Sequence, residues 1–303
     1  MNSNIVATPR DPVEMAAKLR GANYLADEGL ATTVYLAVAM NRPLLLEGAP
    51  GTGKTSLSEA LARALDIPLI RLQCYEGIDA TQALYDWDFS RQILHLRSLE
   101  AAGSETSPDE REQSLYTERF LLPRPVLRAL RESPAVLLID EVDRSDDEFE
   151  AFLLEVLASS QISIPELGTV VAKVPPVVIL TSNRTRDLHE ALRRRCYFHW
   201  IDHPDPVREL EIVKAHLPEV SHRLAEQVVD VVQSLRNQGR LRRVPGVAET
   251  LDWAQALNRL GGDEITAHTA ALAMGALCKD QNDRDYVREA LDAAFATTSS
   301  FAT

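Results

Sequence analysis

The run PLLLEGAPGTGKTSLSEALARAL, residues 43–65, constrains this chain more than any other stretch. PLLLE is a short apolar run closed by a glycine, the pattern of a buried strand. SLSEALARAL places its apolar residues at helical spacing. Between them stands G-x-x-x-x-G-K-T, with Gly48, Gly53, Lys54 and Thr55 at the fixed positions. A strand that feeds a glycine-rich loop and then a helix can wrap its backbone N–H groups around phosphate. Glycine lets the backbone come close and take positive φ, and the helix turns its positive end toward the anion. The candidate nucleotide-binding residues are therefore Gly48, Ala49, Pro50, Gly51, Thr52, Gly53, Lys54, Thr55 and Ser56. Lys54 is expected on the β- and γ-phosphates and Thr55 on Mg²⁺.

A second apolar run, in AVLLIDEVD, ends in two carboxylates, Asp140 and Glu141. Burying charge is costly without a partner, and a phosphate-bound Mg²⁺ supplies one. Asp140 is assigned to the metal through water, and Glu141 to polarising an attacking water. A third run, VVILTSN, ends at Asn183, whose amide is suited to hold that water. Guanine readers carry N-K-x-D. Here NRTRD has Arg186 where that Asp belongs, which favours ATP.

The remaining pattern predicts an α/β fold, a parallel sheet covered on both faces, followed by an all-helical domain. Helical spacing spans Pro12–Met40, and IPLIRLQC and CYFHWI read as further strands. QISIPELGTVVAKV, residues 161–174, reads as a small hairpin. The polar stretch 103–113 reads as an exposed insertion, and 88–118 as the longest irregular segment. After DHPDP the strand signal ends, which places the domains at 1–202 and 203–303. Trp87, Trp200 and Trp253 read as packing residues.

Together, GAPGTGKT, LLIDE and Asn183 resemble the Walker A, Walker B and sensor 1 elements of the AAA+ ATPases. Within that group RPLLLEGAPGTGKT, DEVDRSDDEFEAFLLEVL, ISIPELGTV and LHEALRRRC are most similar to the MoxR family, and AETLDWAQAL to its CoxD-like branch. The resemblance implies a three-layer ATPase domain with a helical lid, Mg²⁺-dependent ATP hydrolysis, and a homo-oligomeric, hexameric ring. In such rings an arginine of one subunit completes the site of the next. That role falls here to Arg195 first and Arg194 second, within the triplet Arg193–Arg195. Arg193 is read as a helix-terminal charge. The implied partners are a von Willebrand factor A-domain protein and a metalloenzyme client matured in chaperone-like fashion, a molybdenum-containing CO dehydrogenase or related hydroxylase for this branch. The 88–118 insert is expected to project toward the ring pore. One departure stands out. The arginine called sensor 2, which opens a lid helix in many members, is replaced by Gly246 in RRVPGVAETLDW. Either Arg242 or Arg243 substitutes, or this branch lacks sensor 2.

Composition narrows the classes further. With 45 acidic and 32 basic residues the formal charge is −13, which speaks against broad nucleic-acid binding. No apolar run is long enough for a membrane span. The three cysteines lack metal-type spacing, so a reducing, cytoplasmic setting is expected. Cys196 adjoins the arginines, which would lower its pKa. The two histidines of HWIDH straddle a strand end, a poor metal pair.

Overall fold

The computed structural model describes residues 8–101 and 107–295. Two compact units share the chain. The first comprises the described residues up to 22 together with 26–47 and 55–199. The second comprises 23–25, 48–54 and the described residues from 200 onward.

The chain opens with α1 (Pro12–Gly21) and α2 (Glu28–Ala39), begun by Asp11 and Asp27, whose carboxylates accept backbone N–H groups of the first turn. Next come β1 (Leu44–Gly48), α3 (Lys54–Leu65) and β2 (Leu69–Gln73). Helix α4 (Ala80–Leu84), β3 (Tyr85–Trp87), α5 (Phe89–Ala101) and α6 (Pro108–Leu115) follow. Then come β4 (Leu121–Pro123), α7 (Pro125–Arg131), β5 (Val136–Asp140) and α8 (Asp147–Ser159). Strands β6 (Gln161–Ile164), β7 (Gly168–Val171) and β8 (Val177–Ser182), helix α9 (Glu190–Arg195) and β9 (Tyr197–Ile201) complete the α/β part.

Five strands form one parallel sheet in the order β2-β5-β8-β1-β9. Leu44 pairs with Ile179, and Val136 with both Leu69 and Val177. Strands β1 and β5 are buried along their whole length, as continuous apolar runs flanked by helices should be. Their core includes Leu45, Ile70, Leu137, Ile139, Phe149 and Leu180. The predicted hairpin is the antiparallel pair β6–β7. A second small pair, β3–β4, has no counterpart in the sequence reading.

The segment expected to be irregular is largely helical. Its described part forms α5 and α6, the latter started by Ser107 and Glu110 in a reciprocal capping box. Residues 103–106 of the polar stretch lie outside the described residues. Pattern reading missed α6 because its residues are almost all polar, leaving no apolar period to detect.

The second unit is built from α10 (Pro206–His216), α11 (His222–Asn237), α12 (Val247–Arg259), α13 (Ala267–Leu277) and α14 (Arg284–Phe295). Helix α11 shows the logic, burying Leu224, Ala225, Val228, Val229, Val232 and Leu235 on one face at spacings of three and four. Trp253 sits at the centre of this core with no exposed surface. A buried ion pair crosses it, where Arg236 grips Glu209 at 2.6 and 2.7 Å and Thr250 donates to the same carboxylate at 2.6 Å. Removing either charge would strand the other in a dry interior. The final residues read as helical in the sequence, 296–301, lie outside the described residues.

Candidate nucleotide site

In an open parallel sheet, ligands bind beyond the carboxyl ends of the strands. Strands β1, β5 and β8 are neighbours or next neighbours, and their carboxyl ends carry Gly48, Asp140 and Ser182. The topology therefore collects three sequence-distant motifs at one edge.

The loop from Ala49 to Gly53 is closed by its own side chains. Thr52 Oγ donates to Ala49 O at 2.9 Å. The Lys54 ammonium donates to Gly48 O at 2.8 Å and to Ala49 O at 2.7 Å. Pro50 and Ser56 are exposed, on the loop and in the first turn of α3. Gly51 and Gly53 have φ of 75° and 93°, which side chains resist.

The carboxylates form a second cluster. Asp140 is buried and accepts from Thr181 Oγ at 2.5 Å, from Arg71 at 2.5 Å and from Thr55 Oγ at 3.1 Å. Glu141 stands in the left-handed region at φ 54°, ψ 49°, a conformation costing about 1–2 kcal/mol for a residue with a Cβ. Its amide donates to Thr181 Oγ at 2.9 Å. Its carboxylate accepts from Gln73 Nε2 at 3.1 Å and Asn183 Nδ2 at 3.3 Å, and pairs with Arg144 at 3.3 Å. The structure thus brings Thr55, Asp140, Glu141 and Asn183 together.

Asp143 pins the loop that follows β8, at Asn183 and Thr185. Burial opposes its ionisation. Hydrogen bonds from Thr185 N–H and Oγ and from Asn183 N–H outweigh that and hold the carboxyl below its ordinary value. Arg186, the residue that breaks the guanine motif, has a structural job. It donates to Ser145 O at 2.9 Å and pairs with buried Glu150.

Arg71, Gln73 and Thr181 were missed by sequence reading. Gln73 carried a usable signal, since it is a polar residue closing a predicted strand, as Asn183 does in the sequence, although β2 is only half-buried. Arg71 and Thr181 sit mid-pattern within strands, and only the sheet order shows that they flank Asp140.

The three consecutive arginines part company. Arg193 is not a bare helix-end charge, because its guanidinium bonds the buried Glu47 carboxylate at 2.8 and 3.3 Å. Arg194 is exposed and pairs with Glu190 one turn back. Arg195 is exposed and donates to Leu154 O. Among the described residues neither Arg194 nor Arg195 bonds the Asp140–Glu141 cluster of its own chain. Arg42 caps α9 by donating to Arg194 O at 3.0 Å and Arg195 O at 3.3 Å.

The expectation of a lowered Cys196 pKa is corrected. Burial pushes its thiol up to about 12, and the Arg42 charge only partly opposes this. Adjacency in sequence to Arg195 did not bring the thiol out of the core. Cys74 is likewise pushed up to about 12, by burial and then by the charges of Asp140, Asp143 and Glu141. His203 has its pKa lowered, first by burial and then by Arg236, and no metal-ligand cluster occurs among the described residues. Arg242 and Arg243 have exposed side chains, and their backbone N–H groups are held by Asp283 at 3.0 and 2.9 Å.

A glycine-rich loop between β1 and α3, with acidic and amide residues at the ends of β5 and β8, defines a P-loop nucleoside triphosphatase fold with a helical C-terminal region. The family model for the AAA domain (dynein-related subfamily) matches residues 43–196, and the chain belongs to that family. Family membership implies ATP binding and hydrolysis. The chain is 24% identical over 232 residues to an uncharacterized protein of Staphylococcus haemolyticus (strain JCSC1435), covering 75% of this chain and 80% of that one. It is also 24% identical over 218 residues to uncharacterized proteins of Staphylococcus aureus strains bovine RF122 / ET3-1 and USA300, covering 70% of this chain and 75% of each. Among the described residues no helix is long and apolar enough to cross a membrane.

The donor set at the cluster suits Mg²⁺. Thr55 Oγ and Asp140 are hard oxygen ligands within 3.1 Å of each other. Thr55 would hold the ion directly and Asp140 through water. When bound, the ion neutralises charge on phosphate oxygens.

Proposed function

We propose that this protein is a MoxR-type AAA+ ATPase that hydrolyses ATP in a ring of identical subunits, hexameric by resemblance. The observation that carries the reading is the Glu141 carboxylate, held between Gln73 and Asn183 beside the Asp140–Thr55 pair. That is the arrangement a general base needs, oriented by two amides and next to the metal ligands. In this role Glu141 takes the proton of the attacking water, and Asn183 and Gln73 fix the direction of the carboxylate. The backbone N–H groups of the loop and the Lys54 ammonium bind the phosphates. Arg195, with Arg194 beside it, reaches the site of the adjacent subunit and stabilises charge on the transferring phosphoryl group. Comparable arginines contribute about 10³–10⁵ in rate. Their exposure, and the absence among the described residues of a bond from either to the Asp140–Glu141 cluster of its own chain, support this.

The work of the cycle is chaperone-like remodelling of a metalloenzyme client with a von Willebrand factor A-domain partner, in the manner of the CoxD-like branch. A molybdenum-containing CO dehydrogenase or related hydroxylase is the client class. This part rests on the sequence resemblance. The test is phosphate release against protein concentration. Specific activity should rise as rings assemble, and Arg195→Ala should abolish the rise while nucleotide still binds. Flat specific activity, or an Arg195→Ala variant that behaves as wild type, refutes the ring reading. Capture with Glu141→Gln reads out the client, and recovery of no metalloenzyme or A-domain protein would overturn the assigned role.

A further inference from the structure

Gly246 stands where the resemblance leads one to expect an arginine, and its surroundings explain the substitution. A Cβ built at Gly246 would lie 2.7 Å from Gly51 Cα and 2.8 Å from both Gly51 C and Gly51 O. These are backbone atoms of the phosphate loop and cannot swing aside. The approach is mutual, since a Cβ on Gly51 would lie 3.1 Å from Gly246 Cα. No side chain of any kind, arginine included, fits at position 246 while this contact exists.

A hydrogen bond accompanies the close packing. Val247 N–H donates to Gly51 O at 2.9 Å. Gly246 is the N-cap of α12 and Val247 its first helical residue, so this N–H is one of the helix's unpaired first-turn donors. Glu249, three residues on, accepts the Gly246 N–H at 2.9 Å and fixes the turn. Arg236 holds the preceding residue, donating to Pro245 O at 2.7 Å from within the Arg236–Glu209 pair. The start of α12 is therefore rigidly built from the core of its own unit.

The geometry points to a positioning role for Gly246 and the Val247 amide: α12 orients the phosphate loop through a backbone contact, in place of an arginine side chain. The Gly51–Thr52 peptide is planar and trans, so its C=O and N–H point in opposite directions. With Gly51 O held by Val247, the Thr52 N–H is turned away from α12 and fixed there. One of the loop's anion donors is thereby set in advance by the helical unit. The contact lies within the second unit, which holds both the loop and α12, and its loss would free that peptide. This inference rests on the ATPase reading and adds to it what orients the phosphate loop.

Two variants test it. Val247→Pro removes the donor at a position where proline suits a helix. Gly246 has φ −86° and ψ −172°, an extended conformation that a following proline accepts. Gly246→Ala inserts the clashing methyl. The readout is affinity for a fluorescent ADP analogue and, by competition, for pyrophosphate, with Val247→Ala as the reference that keeps the amide. Val247→Pro should bind both ligands about threefold to tenfold more weakly than Val247→Ala, the range for one lost hydrogen bond. Gly246→Ala should weaken both in the same direction. A contact that merely stabilised the helical unit would lower thermal stability and leave pyrophosphate affinity alone. Equal affinities for Val247→Pro and Val247→Ala, or weakening of ADP but not pyrophosphate, overturn the positioning role and leave the ATPase intact. A wild-type protein that binds neither ligand overturns both.

Discussion

Replacing Arg193 by Met separates the structural arginine of the triplet from its exposed neighbours. Glu47 is 1% exposed, and Arg193 is its bidentate partner, with Arg184 3.8 Å away. Stranding one member of a buried pair costs about 3–5 kcal/mol. Two features reduce this. The Arg193 side chain is 35% exposed, so part of its attraction is already screened, and Arg184 stays to offset the orphaned charge. Arg193→Met should therefore destabilise by about 2–3 kcal/mol. Glu47→Gln removes the buried charge instead and leaves Arg193 partly hydrated, so about 1–2 kcal/mol is expected. The double variant should cost no more than Arg193→Met alone, a coupling of about 1–2 kcal/mol. Arg194→Met and Arg195→Met should fall within about 0.5 kcal/mol of wild type, as exposed side chains do. Urea unfolding followed by circular dichroism, with linear extrapolation, measures all five. A cost below about 0.5 kcal/mol for Arg193→Met, or one equal to that of Arg194→Met, would refute the assignment of Arg193 to Glu47.

Further outcomes follow from the same geometry. Glu141→Gln should bind ATP as wild type does and lose about 10²–10⁴ in phosphate release, and retention of most activity would remove Glu141 as the base. Asp143 has its carboxyl held below the ordinary value, so its contribution to stability is complete above the unfolded pKa of about 3.9 and is lost as pH falls through the folded value. The stability gap between wild type and Asp143→Asn should accordingly stay constant above about pH 5 and narrow as pH falls through about 4 and below, and a gap that stays constant down to low pH would count against the hydrogen-bond account. With Cys74 and Cys196 pushed up to about 12, a disulfide reagent near neutral pH should modify half-buried Cys278 first and the other two only on unfolding.

The α/β core was legible because burial writes itself into composition. Strands β1, β5 and β8 are covered on both faces, so they appear as unbroken apolar runs, and the candidate site residues interrupt those runs at the end. That is why Gly48, Asp140, Glu141 and Asn183 were found from sequence. Helices α5 and α6 were not found, because they bury little and their order comes from caps and local packing. Gln73 escaped although it closes a strand as Asn183 does, since nothing local says that β2 lies beside β5.

The sequence by itself determined the chemistry on offer: a phosphate loop, two carboxylates, an amide and a cluster of arginines. Only the tertiary structure decided how these are used. Sheet order set Asp140 among Thr55, Arg71 and Thr181, and gave Arg193 to Glu47 while leaving Arg194 and Arg195 on the surface. It also showed that Gly246 is a matter of space, a position pressed against Gly51. The physical reason is that motifs are local in the chain, whereas hydrogen-bond partners, burial and close approach are properties of distant segments brought together by the core.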